Sequence, residues 1–195
     1  MTTSPREIHH DQDTVTLGFW IYLMTDCLLF ASLFATYAVL HGNTAGGAGS
    51  AELFNMGFVL TETVILLTSS VTSGLALLEA RKKNRRGALL YMATTVLLGL
   101  AFLAMELNEF SQFVQEGHGW WTSGFLSAFF TLVGTHGAHI TAGLIWAIVI
   151  MWLMVRKNID TRLAKRMTLF TLFWHFLDVI WIFIFTFVYA VGVLR

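Results

Sequence analysis

The stretch TSGFLSAFFTLVGTHGAHITAGLIWAIVIMWLMV, residues 122–155, runs for 34 residues without a single charge. As one helix it would be about 50 Å long, well beyond the ~30 Å hydrocarbon core of a bilayer, so it must tilt strongly or project past the lipid. On either side lie four further apolar runs, at 17–40, 56–78, 88–113 and 167–194, and the uncharged run itself spans from 123 to 155. Each exceeds the ~20 residues needed to cross. Composition agrees: 56% of the 195 residues are hydrophobic, 12% are charged, and mean hydropathy is +0.67. The sequence therefore predicts an all-α polytopic membrane protein, a bundle of five transmembrane helices in one domain over 17–195, preceded by a polar tail over 1–16.

Charge and cysteine usage remove several function classes. Twelve Lys+Arg against twelve Asp+Glu leave no basic footprint, so nucleic acid is not an expected partner. Cys27, the single cysteine, lies inside an apolar run and can join neither a disulfide framework nor a CxxC zinc site. The opening MTTSPREIHHDQDT has no basic n-region ahead of a short apolar core, so the first span reads as an uncleaved helix. His9 and His10 in this tail read as a solvated pair rather than copper ligands.

Connections are short. HGNTAGGAGSAELFN after the first span reads as a flexible loop, and EGHGWW after the third as a tight turn with interfacial tryptophans. Arg81, Lys82, Lys83, Arg85 and Arg86 lie between spans 2 and 3, and Arg156, Lys157, Arg162, Lys165 and Arg166 between spans 4 and 5. With Arg6 these put eleven of twelve basic residues on one side and leave only Arg195 on the other. The positive-inside rule then predicts a cytoplasmic N-terminus and a periplasmic C-terminus.

Ionisable groups inside the spans carry the functional information, because each is costly in lipid and tends to face protein. They are Asp26, Glu62, Glu106, Glu109, His136, His139, His175 and Asp178. At 100° per residue Asp26 shares a stripe with Tyr22, Leu33 and Tyr37, Glu62 with Ser69 and Ser73, and Glu106 with Thr95 and Gly99. Gly134, Ala138 and Ala142, and likewise Ser70 and Gly74, repeat at a spacing that lets backbones approach. Counting from the basic end of each span puts Asp26, His175 and Asp178 about 12–17 Å deep, and Glu62, Glu106 and His136 near 27–29 Å. Two layers result: an inner one joining helices 1 and 5, in which His175 would be shared between two acids or one acid would be protonated, and an outer one joining helices 2, 3 and 4.

The layers read either as interhelical adhesive, worth of the order of 1 kcal/mol per bond, or as a proton pathway or ion site. No row of carboxylates is continuous across the membrane, which favours adhesive. Asp26 facing a partner subunit as a contact or proton-entry element stays open beside the inner-layer reading. His136 and His139 lie a turn apart on one helix and cannot be opposed axial ligands of one haem, and His175 is at another depth, so neither metal nor cofactor is expected in this chain. An imidazole on helix 4 is instead expected to bond Glu106 or Glu62. The residues leave a stand-alone proton-coupled membrane carrier as one functional reading.

Two strings add a resemblance. VGTHGAHITAGLIW (residues 133–146) followed by FWHFLDVIWIFIFTFVYAVG (residues 173–192) closely resembles subunit III of the haem-copper respiratory oxidases. GFWIYLMTDCLLFASLFATYAVL resembles that family's helix with a buried carboxylate, and LTETVILLTSSVTSGLAL and AFLAMELNEF follow its pattern more loosely. The mitochondrial-type cytochrome c oxidase subunit is seven-helical and has glutamate where Asp26 stands, so five spans and the shorter acid are more similar to the cytochrome o (bo-type) ubiquinol oxidase branch. The resemblance implies a non-catalytic companion of subunit I in a bacterial inner-membrane complex that oxidises ubiquinol, reduces O₂ to water and pumps protons. Haem b, haem o and copper would then belong to subunit I, with phospholipid as a further partner. A cytochrome c-oxidising complex is the alternative within the family.

Overall fold

The structure, a computed structural model, describes residues 5–45, 56–156 and 159–194, with side chains from 14 to 192. Among the described residues it is entirely helical: α1 (Pro5–Leu40), α2 (Met56–Arg81), α3 (Arg85–Gln115), α4 (Gly124–Arg156) and α5 (Thr161–Ile184), the last continued by a π-helical turn (Phe185–Ala190) and a final turn, α6 (Val191–Leu194). Five of these segments are long and apolar enough to cross a membrane. The one proline is the first residue of α1, where its missing N–H is lost to no hydrogen bond and its fixed φ suits the helix. α1 thus begins well before the apolar run, and most of the polar stretch 1–16 forms its opening turns. The side chains of His9 and His10, and the Gly/Ala-rich loop after position 45, lie outside the described residues.

Local chemistry sets the ends. Asp160 caps α5, its Oδ1 accepting the Leu163 N–H at 2.7 Å, and Asn84 caps α3 by accepting from the Gly87 N–H at 3.3 Å. α3 ends where Gly117 takes φ +86°, a left-handed conformation that glycine adopts without penalty, and the His118 N–H reaches back to the Phe113 carbonyl at 2.8 Å. Trp120 and Trp121 follow, both exposed, as the tight-turn reading requires.

Helices α2, α3, α4 and α5 close a ring, each packed on the next and α5 back on α2, while α1 lies outside against α4 and α5. Phe102, Phe129, Phe170, Trp174 and Trp181 fill the ring, each at most 1% exposed. Glycines permit the closest approaches. A Cβ on Gly143 would stand 2.8 Å from Trp174 Cζ3, and one on Gly99 would stand 3.0 Å from Cη2 of the same ring. The Gly134/Ala138/Ala142 stripe makes no such approach within the chain, since Ala138 and Ala142 are exposed, which leaves it to a partner subunit, the other face such a stripe can serve. Large apolar side chains face outwards along the spans, including Leu28, Leu97 and Val39, as suits a surface against lipid or partner helices.

Candidate functional site

The intramembrane polar groups fall into three sets, and their partners differ in part from those that depth counting suggests. On α1 the buried face carries Leu23, Asp26, Phe30 and Tyr37, which directs Asp26 at α4 rather than α5. Its Oδ2 lies 3.6 Å from His139 Nε2, ion-pair distance. His139 Nδ1 donates to the Thr135 carbonyl at 2.7 Å, because a carbonyl can only accept, and this fixes the tautomer that leaves Nε2 for the carboxyl.

The inner-layer grouping of Asp26 with His175 and Asp178 is therefore corrected. His175 is exposed and its Nδ1 donates to the Thr171 carbonyl at 2.7 Å, while Asp178 is buried and turned towards Ser70 on α2. The error has a physical source. The Arg85 guanidinium at the start of α3 hydrogen-bonds the Val155 carbonyl, so those two helix ends are level. His139 is about 24 Å from that level, and the same distance back along α1 from Asp26 ends near residue 10, inside the helix and well before the apolar run. Counting from Leu17 placed Asp26 too shallow.

The second set joins α2 and α5, which run antiparallel. The Trp174 indole N–H donates to Ser69 Oγ at 2.9 Å, and the Trp181 N–H to Thr63 Oγ1 at 3.1 Å. Thr72 and Thr95 hydroxyls meet at 2.8 Å between α2 and α3. The shared stripe of Glu62, Ser69 and Ser73 is buried, as is that of Thr95, Gly99 and Glu106. Sequence reading passed over both indoles, although Trp174, Asp178 and Trp181 stand at i, i+4 and i+7 on one face.

The third set is the outer layer. Glu62 on α2 and Glu106 and Glu109 on α3 are all buried where these two helices pack together, and the Tyr189 hydroxyl donates to Glu109 Oε2 at 2.9 Å. Tyr189 is missed by α-helical phase counting for a definite reason. In a regular helix it would stand some 80° round from Trp181, eight residues earlier, but the π turn adds a residue to that interval and swings it inwards. The Glu106 carboxyl lies over Gly137, whose Cβ would stand 2.7 Å from Oε1. His136 departs from expectation: neither ring nitrogen has a hydrogen-bond partner among the described residues, and the ring stacks on Trp181 at 5.2 Å with Phe102 edge-on at 6.0 Å. It bonds neither Glu106 nor Glu62. Among the described residues no three His, Cys, Asp or Glu side chains converge as a metal site.

A family model described as cytochrome c oxidase subunit III matches residues 5–193. A protein of Pseudomonas putida named cytochrome bo(3) ubiquinol oxidase subunit 3 is 53% identical over 186 residues, covering 95% of this chain and 90% of the relative. A protein of the same name from Pseudomonas aeruginosa is 49% identical over 96% of this chain and 93% of its own length. A Bacillus protein named cytochrome c oxidase subunit 3 is 46% identical over 90% of this chain and 85% of its own.

Proposed function

The chain belongs to the cytochrome c oxidase subunit III family, and from that premise we propose that it is the third subunit of a bacterial haem-copper terminal oxidase that takes electrons from ubiquinol. The observation that carries this reading is the near full-length similarity to two proteins named as subunit 3 of such a quinol oxidase, each more similar than the cytochrome c oxidase relative. The complex would oxidise ubiquinol, reduce O₂ to water and move protons across the bacterial inner membrane.

Within that complex this subunit contributes form rather than redox chemistry. Haem b, haem o and copper belong to subunit I in this proposal, and the present chain braces that subunit, binds phospholipid along its apolar outer faces and shapes proton entry. Its N-terminus and basic loops face the cytoplasm, and residues 17–195 act as one domain. Four intramembrane polar groups meet partners within the bundle, which supports a bracing role: Asp26 faces His139, Trp174 donates to Ser69, Trp181 to Thr63 and Tyr189 to Glu109.

The test is purification in mild detergent. Co-elution with a larger haem-bearing chain, together with ubiquinol-dependent O₂ uptake by the purified complex, is the expected result. A colourless chain eluting alone would refute the companion role, and turnover with cytochrome c but not with quinol would refute the choice of donor.

A further inference from the structure

The outer carboxylate cluster holds more polar capacity than its protein partners satisfy. Glu62 is 0% exposed and Glu106 2%, yet both carboxyl oxygens of Glu62 and Oε2 of Glu106 have no hydrogen-bond partner among the described residues. His136, also 0% exposed, adds two unpartnered ring nitrogens at the same level of the bundle. Buried polar groups in folded proteins are almost always hydrogen-bonded, and when the chain does not supply the partner an ordered water does.

We propose that Glu62, Glu106 and Glu109 enclose an internal water-binding site whose acids hold exchangeable protons. Five orphaned atoms, three carboxyl oxygens of Glu62 and Glu106 and both His136 nitrogens, exceed the roughly three hydrogen bonds of a single water, so at least one water, donating to carboxyl oxygens and accepting from a neutral acid, is required. Three buried carboxyls on the packed faces of α2 and α3, with no Lys or Arg in the apolar runs 56–78 and 88–113, cannot all be ionised in a dry interior, so protons are shared, and each neutral acid gives an O–H that needs an acceptor. Water supplies both donors and acceptors, whereas a resident cation would need convergent ligands, and no such group of three is formed among the described residues.

The walls are defined. Tyr189 closes one side by donating to Glu109, Phe129 lies 5.8 Å from the Tyr189 ring, and Trp181, bonded to Thr63 next to Glu62, separates the cluster from the Trp174 level below. Glu62 lies six residues into α2 and Glu109 six residues before the end of α3, about 9 Å from the bundle end opposite the basic loops. This depth puts the site within reach of exchange with water at that end, and no continuous row of carboxylates leads to the other.

The experiment uses the intact oxidase complex. A structure resolving ordered water is expected to show a water at about 2.7–3.2 Å from oxygens of both Glu62 and Glu106. Infrared spectra of the same complex are expected to show carboxylic-acid C=O bands that shift in D₂O, one lost in E62Q and one in E106Q. Direct Glu62–Glu106 or Glu62–His136 hydrogen bonds with no water between them overturn the proposal. So does a coordinated cation, or C=O bands unmoved after prolonged D₂O exposure. If either variant fails to assemble, the wild-type water positions and D₂O shift decide.

Discussion

Gly143→Ala is the sharpest test of how the ring of helices closes. The added methyl would sit 2.8 Å from Trp174 Cζ3, 3.1 Å from Cε3 and 3.2 Å from Phe173 Cε1. Trp174 cannot retreat cheaply, because its N–H is held by Ser69 at 2.9 Å and its adjoining Cη2–Cζ2 edge lies against Gly99 on α3. Forcing an extra carbon into such packing costs about 1–3 kcal/mol. Against this, replacing a helical glycine by alanine gains up to ~1 kcal/mol of helix propensity. Gly74→Ala isolates the second term, since nothing lies within 4 Å of its Cβ position. The two variants should therefore differ by about 2 kcal/mol, or ~4–8 °C in thermal midpoint for a chain of this size. Thermal dissociation of the subunit from the detergent-solubilised complex provides the readout. Gly143→Ala at or above the midpoint of Gly74→Ala would show that Trp174 is not clamped between α3 and α4. Gly99→Ala presses Leu144 and the neighbouring Cη2–Cζ2 edge of the same ring, so the double variant should be non-additive.

Three further outcomes are expected. Asp26→Asn should leave assembly intact, whereas Asp26→Leu should loosen the subunit by stranding His139, and pairing Asp26→Leu with His139→Phe should recover much of the loss, because it removes both halves of that pair; proton pumping that falls in Asp26→Asn with assembly intact would instead assign that residue a proton role. Asp160→Ala removes the cap from α5 and should cost about 1 kcal/mol in chemical denaturation, and a loss no larger than that of a nearby exposed substitution would contradict the cap. In a chain with Cys27 replaced, a membrane-impermeant thiol reagent should label Arg86→Cys only from the cytoplasmic side and Gly42→Cys only from the outside; reversed labelling would invert the topology.

The helices themselves are legible along the chain. Uninterrupted apolar length makes five spans, because backbone groups in lipid must be satisfied internally and a helix of that length does so. Periodicity placed Glu62, Ser69, Ser73, Thr95 and Glu106 on buried faces, and Asp160 and Gly117 mark helix ends through chemistry that acts over three or four residues. These signals are local, so one chain suffices to read them.

Partner choice was decided by the tertiary structure. Periodicity says which face is buried but not against which helix, and depth counting needs a common plane that apolar runs do not supply when a helix such as α1 continues from Pro5 through polar residues. That is why Asp26 meets His139 rather than His175 or Asp178. The lateral order, with α1 outside a closed ring of α2 to α5, depends on long-range packing of rings such as Trp174 and Trp181 against glycine and hydroxyl positions more than 30 residues away. Tyr189 shows the limit most clearly: a single π turn shifts the phase of the last helix by one residue, and only the packed structure reveals that its hydroxyl completes the outer carboxylate cluster.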